Sequence, residues 1–329
     1  MSIEFYPEII LEGDLSPDAF GAEVDDICQE IHAACKGFGT AEDRLLKVMG
    51  SMSPSTRCKV PIRYKELFGK ELRAVMKSEC GNRDFGFALQ LLAVDPLAAD
   101  CMLVEKACDG AGTNELLLFT IICGRTNREM ELLKKKFFDL VTKDLGRVLD
   151  RELGGNLEAL VINVMQASQQ DYDEDFHNDE KVKEDIDALH EFGIGSWGTN
   201  EKGLFKILCA SPPEYVKKLN QAYAEKHGYS LTKALEKELG GHVRDAATFM
   251  LGMKLNPIKQ VSDLVNRACK GLGSNELLLT ATLIRYSGIL KEVMIAHAEE
   301  YSTDMKERIK GETGGKYEKL LLTLLDSAE

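Results

Sequence analysis

No stretch of this chain approaches the roughly 20 consecutive apolar residues needed to cross a bilayer; runs such as Leu116–Cys123 fall well short. The basic-then-apolar start of a secretory leader is missing, Ser2 excludes N-myristoylation, and the closing Asp326-Ser327-Ala328-Glu329 is no prenylation box. The nine cysteines are odd in number and contain no Cys-Xaa-Xaa-Cys pair. That pattern predicts free thiols in a reducing, cytoplasmic compartment. Alternating β-branched runs and Asn-Gly hairpin signals are absent, so the chain reads as all-α. There is no His-Glu-Xaa-Xaa-His, phosphate-binding loop or nucleophile elbow, so no enzyme is indicated. Positive charge is also short. With 41 Lys and Arg against 54 Asp and Glu, the net charge of −13 repels nucleic acid and anionic membranes alike unless a cation intervenes.

Glycine, in contrast, recurs in a pattern. Cys35-Lys36-Gly37-Phe38-Gly39-Thr40 returns as Cys108 to Thr113, as Gly193 to Thr199 and as Cys269 to Ser274. From the last glycine of each loop, Gly39 leads to Glu79, Gly112 to Glu152 and Gly198 to Glu238 at a separation of 40 residues, and Gly273 leads to Glu312 at 39. Each of these glutamates stands two residues before a glycine. Glycine adopts positive φ freely and lets successive carbonyls turn toward one point. Calcium takes roughly 6–8 oxygens, and a glycine loop with one bidentate glutamate supplies about five of them. Helix capping explains any one loop; it does not explain a glutamate at a fixed distance in four copies. A divalent ion held by a single glutamate leaves about +1 per site, so four filled sites on one face could invert the local field.

Other acidic groups read differently. Glu42, Glu115, Glu201 and Glu276 each lie two residues beyond the loop Thr or Ser, where they favour the positive end of a helix. Asp171, Asp173 and Asp175 have the spacing of an EF-hand, but Phe176 and Val182 stand where that loop needs Gly and Glu.

The loops recur every 73 to 86 residues, which argues for four small units of about five helices each. Val24, Ile27, Cys28, Ile31 and Cys35 mark a helix running into the first loop, with Thr40 as the cap of the next and Ser53-Pro54 opening another. Thr113 is expected to cap likewise, Thr126-Asn127-Arg128-Glu129 forms a capping box, and Ser211-Pro212-Pro213-Glu214 opens a helix in the same way. The expected division is an N-terminal arm at 1–16, repeats at 17–93, 94–168, 183–256 and 257–329, and an acidic linker at 169–182. The polar stretch from Gln166 to Asp187 reads as the main joint between halves.

Glycine loops of this kind, a carboxylate about 40 residues later and four repeats over nearly the whole chain together resemble the annexin family. The resemblance implies four five-helix repeats in a curved disc whose convex face binds Ca2+ and, through it, acidic phospholipid. Carried over, the carbonyls of Cys35, Gly37 and Gly39 join Glu79, those of Cys108, Gly110 and Gly112 join Glu152, and those of Cys269, Gly271 and Gly273 join Glu312. In the third repeat the carbonyls of Gly193, Ser196 and Gly198 join Glu238, with Trp197 at the loop tip. Phe38, Trp197 and Leu272 are the expected membrane contacts. Asp109 stands where Lys is usual, and the fourth repeat has Ser274 for Thr and is one residue short before Glu312. The expected function is therefore reversible, calcium-dependent membrane binding from the cytoplasm. Its rival is a helical-repeat scaffold for a protein or cytoskeletal partner, with structural glycines only.

Overall fold

The computed structural model describes residues 3–13, 20–37, 39–110, 112–193, 201–270 and 273–328. Among the described residues all regular structure is helical. A single turn, α1 (Glu8–Leu11), precedes four sets of five α-helices. The first set is α2 (Ala22–Ala34), α3 (Glu42–Gly50), α4 (Pro54–Phe68), α5 (Leu72–Cys80) and α6 (Asp84–Leu92). The second is α7 (Pro96–Ala107), α8 (Glu115–Ile122), α9 (Asn127–Val141), α10 (Leu145–Glu152) and α11 (Gly155–Met165). The third is α12 (Asp179–Gly193), α13 (Glu201–Ala210), α14 (Pro213–His227), α15 (Leu231–Glu238) and α16 (Gly241–Leu255). The fourth is α17 (Pro257–Ala268), α18 (Glu276–Arg285), α19 (Leu290–Tyr301), α20 (Met305–Glu312) and α21 (Gly315–Asp326).

The helix starts follow the expected chemistry in two places and depart from it in a third. Ser53 accepts from the Thr56 amide with Pro54 in the first turn, and Thr126 with Glu129 forms the full reciprocal capping box. Ser211 does not cap α14. Its hydroxyl donates back to the Ile207 carbonyl at 2.7 Å, and Pro212 takes the cap position without a side-chain bond. Pro213 takes the first helical position, where proline's fixed φ fits and its missing N–H would have had no helical partner.

The chain gathers into two units. One is built on Leu103–Gln260, the second and third repeats; the other on Phe5–Met102 and Val261–Glu329, the first and fourth. The acidic linker therefore lies inside the first unit and is not a joint between halves. There the Gln170 amide donates to the Ala210 carbonyl at 2.8 Å, Asn127 exchanges two hydrogen bonds with the Gln169 backbone, and His177 is buried against Tyr172 and Tyr215. Asp173 spends its carboxylate on the amides of Asp175 and Phe176. In this unit the buried Lys254 ammonium donates to the carbonyls of Leu208, Cys209 and Ser211 at 2.8, 3.2 and 2.6 Å. It thereby closes the end of α13, and burial lowers its pKa to about 8.

In the other unit, α21 packs on α3 so closely that a Cβ on Gly50 would meet Thr323 Cγ2 at 2.9 Å. Lys316 pairs with Glu42 there, and Lys319 Nζ lies 3.0 Å from Asp43. Fully buried Arg57 donates to the Leu91 carbonyl at 3.0 Å and the Ile284 carbonyl at 3.4 Å, at the ends of α6 and α18 where backbone acceptors lack helical partners. The described part of the N-terminal arm, residues 3–13, packs against the helices. It forms α1, buries Ile10 and Leu11, donates from the Tyr6 hydroxyl to Asp100 at 2.7 Å and sets Phe5 edge-on to Tyr286.

Candidate metal centres

Three of the glycine loops are described closely enough to compare, and all three are tied off at the neck by the same bond. The Ala41 amide donates to the Ala34 carbonyl at 2.9 Å, Asn114 to Ala107 at 2.8 Å and Asn275 to Ala268 at 2.8 Å. Each bond joins the end of one helix to the start of the next across the loop. Among the described loop residues φ is +119° at Gly37, +89° at Gly39, +106° at Gly110, +116° at Gly112 and +94° at Gly273. A Cβ on any of the five would meet nothing within 4 Å, so glycine is required by the backbone conformation and not by crowding.

The glutamates arrive at these loops from the ends of their helices. Glu152, Glu238 and Glu312 are the last residues of α10, α15 and α20, and Glu79 is the last but one of α5. In the first repeat the Thr40 hydroxyl donates to Glu79 Oε2 at 2.6 Å. In the second, Thr113 donates to Glu152 Oε2 at 2.9 Å and lies 3.1 Å from the Glu152 carbonyl. The loop and the carboxylate about 40 residues away are thus joined directly. In the fourth repeat the hydroxyl turns aside: Ser274 donates to Glu276 Oε1 at 2.9 Å and reaches only the carbonyl of Glu312, at 3.1 Å.

These bonds correct the expectation that Thr40 and Thr113 cap the following helices. The cap of α3 is Ala41, with no side-chain bond. The caps of α8 and α18 are Asn114 and Asn275, which accept from the amides of Leu117 and Leu278. The Thr40 and Thr113 hydroxyls instead stand one residue ahead of the cap positions and donate to the glutamates. The asparagine that follows the Thr or Ser in those two repeats was the available sequence signal. Glu42, Glu115, Glu201 and Glu276 are each the first residue of a helix, the expected dipole position.

The donors around these loops are hard. Burial, then the charge of Glu79, raises the Cys35 thiol to about 11; burial, then Glu152, does the same for Cys108; burial, then Glu312, for Cys269. All nine cysteines are free. The thiols at the loop bases therefore stay protonated at neutral pH and are poor ligands, which leaves carbonyl and carboxylate oxygens as the donor set that calcium takes. Beside Glu152 opens a cavity of about 280 Å³, lined by Glu115, Glu152, Asn156, Gly240 and His242, with His242 Nε2 3.9 Å from Glu115. In the third repeat Gly193 ends α12, while Ser196, Trp197 and Gly198 lie outside the described residues, as do Phe38, Gly271 and Leu272.

Comparison with known proteins places the chain. The Annexin family model matches residues 26–84, 99–164, 185–249 and 260–324, one segment for each five-helix set. The chain belongs to the annexin family. Annexin A13 of Mus musculus is 28% identical over 306 residues, covering 93% of this chain and 96% of the relative. Annexin A3 of Homo sapiens is 27% identical over 310 residues, covering 94% of each. Among solved structures, annexin III superposes with a TM-score of 0.85 at 25% identity over 98% of this chain and 96% of that one. Calcium-bound annexin (Sm)1 superposes with a TM-score of 0.79 at 21% identity, over 92% and 90%. No helix among the described residues of this annexin is long and apolar enough to cross a membrane.

Proposed function

We propose that this annexin binds calcium at its four glycine loops and docks through the bound ions on acidic phospholipid, as a reversible binding protein of the cytoplasm and not an enzyme. Annexins are known for calcium-dependent phospholipid binding, and one similar structure is described as calcium-bound. The observation that carries the reading is the pairing of Thr40 with Glu79 and of Thr113 with Glu152, which sets a carboxylate beside an arch of positive-φ glycines in two separate repeats. The carbonyls of Cys35, Gly37 and Gly39 with Glu79 would hold one ion, and those of Cys108, Gly110 and Gly112 with Glu152 a second. Gly193, Ser196 and Gly198 with Glu238, and Cys269, Gly271 and Gly273 with Glu312, complete the set. Calcium supplies the positive charge that lets a chain of net charge −13 approach an anionic surface. The loop tips Phe38, Trp197 and Leu272 then enter the interface, where an indole in particular is favoured.

Co-sedimentation with phosphatidylserine vesicles across a calcium series tests this directly. The protein is expected to pellet only with calcium and to ignore phosphatidylcholine vesicles at every concentration. Pelleting that is indifferent to calcium, or absent throughout, overturns the proposal in favour of a scaffold whose glycines are structural.

A further inference from the structure

Helices α4 and α14 hold the same place in the first and third repeats, and each ends on a ring just ahead of a left-handed glycine: Phe68 before Gly69, His227 before Gly228. In the first repeat Phe68 stacks on His32 of α2 with centroids 3.9 Å and planes 3° apart, and His32 Nδ1 lies 3.4 Å from the Tyr64 hydroxyl. In the third repeat the ring facing His190 of α12 is a second imidazole. His190 and His227 stack at 4.2 Å and 15°, with His190 Nδ1 3.3 Å from the Tyr223 hydroxyl. Packing does not require an imidazole at this position, because the first repeat fills it with hydrocarbon. His227 Nε2 is moreover buried without a hydrogen-bond partner. A neutral ring tolerates such a nitrogen, whereas an imidazolium must carry a proton on both nitrogens and leaves an N–H at Nε2 without an acceptor.

We propose that the His190–His227 stack is a proton-sensitive latch between α12 and α14, closed while both rings are neutral and released when His227 takes up a proton. The charges acting on His227 are His190 and Asp187 from α12 and Lys226 from its own helix; burial, then His190 and Lys226, hold its pKa below the ordinary histidine value. Asp187 pulls the other way but is paired with Lys226. Lys183 acts on Asp187, and Tyr229 and Glu238, from the side of α15, act on Tyr223. Because the closed form binds fewer protons than the open one, the contact is strongest above the ordinary histidine pKa of about 6.5 and weakens as pH falls through it. Release frees Tyr223, whose ring packs on both imidazoles and is buried in the closed form, so acid exposes apolar surface from this repeat.

Hydrogen exchange of the full chain with calcium chelated, read on peptides from α12 and α14 at about pH 7.5 and about pH 5.5 and corrected for intrinsic rates, tests the latch independently of metal binding. An open form carrying an ordinary histidine is favoured up to about tenfold over that interval. The wild type is expected to exchange several-fold faster at the lower pH in these two helices. His227→Phe, which copies the first repeat's own stack, is expected to remove the acceleration. An acceleration of the same size in His227→Phe overturns the latch, as does a wild type with no response. Should the variant fold poorly, NMR titration of the wild-type imidazoles decides: His227 is expected below free histidine, and a value at or above it overturns the proposal.

Discussion

The first two repeats and the fourth carry the same glycine loop and the same distant glutamate, yet they hold that glutamate differently. Thr40 and Thr113 fasten the carboxylates of Glu79 and Glu152 to their loops. Ser274 donates to Glu276 Oε1 and approaches only the backbone carbonyl of Glu312, not its carboxylate. Two changes in sequence lie behind the difference. Serine lacks the methyl that restricts threonine's χ1, and the segment from Gly273 to Glu312 is one residue shorter than its counterparts. A motif can thus recur while its preorganisation does not. Ordering a side chain on binding costs free energy that a pre-positioned one has already lost, so the first and second loops are expected to fill before the fourth.

The largest effect should come from removing the pre-positioned carboxylates. The double variant Glu79→Gln with Glu152→Gln is expected to raise the calcium needed for half-maximal vesicle binding by at least about tenfold, since an amide carries no charge and cannot chelate. Glu312→Gln alone should move it only a few-fold. Equal shifts from the two variants would erase the distinction between the repeats. Smaller effects are expected from the hydroxyls. Thr40→Ala loses one hydrogen bond of roughly 0.5–1.5 kcal/mol, about a two- to tenfold weaker first site, and Ser274→Thr should strengthen the fourth site within the same range. Calorimetric calcium titrations of both would read this, and a Ser274→Thr site weaker than the wild type would show that the hydroxyl is not what separates the repeats.

Much of the candidate site could be read from the sequence because it is written four times: a single loop looks the same as a helix cap, but a glutamate recurring 39 or 40 residues on argues for an ion site. The threonines were misread for a physical reason. A Thr two residues ahead of a helix has a good claim to cap it, and only the fold reveals that the Thr40 hydroxyl donates to Glu79 while Ala41 takes the cap position of α3. The linker was misread for another reason. Acidic composition signals solvent exposure, which Asp171 and Glu174 do show, but it does not reveal that His177 anchors the segment against Tyr215. Nor does helical periodicity disclose which repeats share a unit, because that depends on contacts between distant segments such as α3 and α21.

The most direct test is diffraction from crystals grown at limiting calcium. Ions are expected on the loop carbonyls together with Glu79 in the first repeat and Glu152 in the second, while the Glu312 loop stays empty until calcium is raised. An ion at Glu312 with the first two loops empty, or ions held away from the glycine carbonyls altogether, would contradict that expectation.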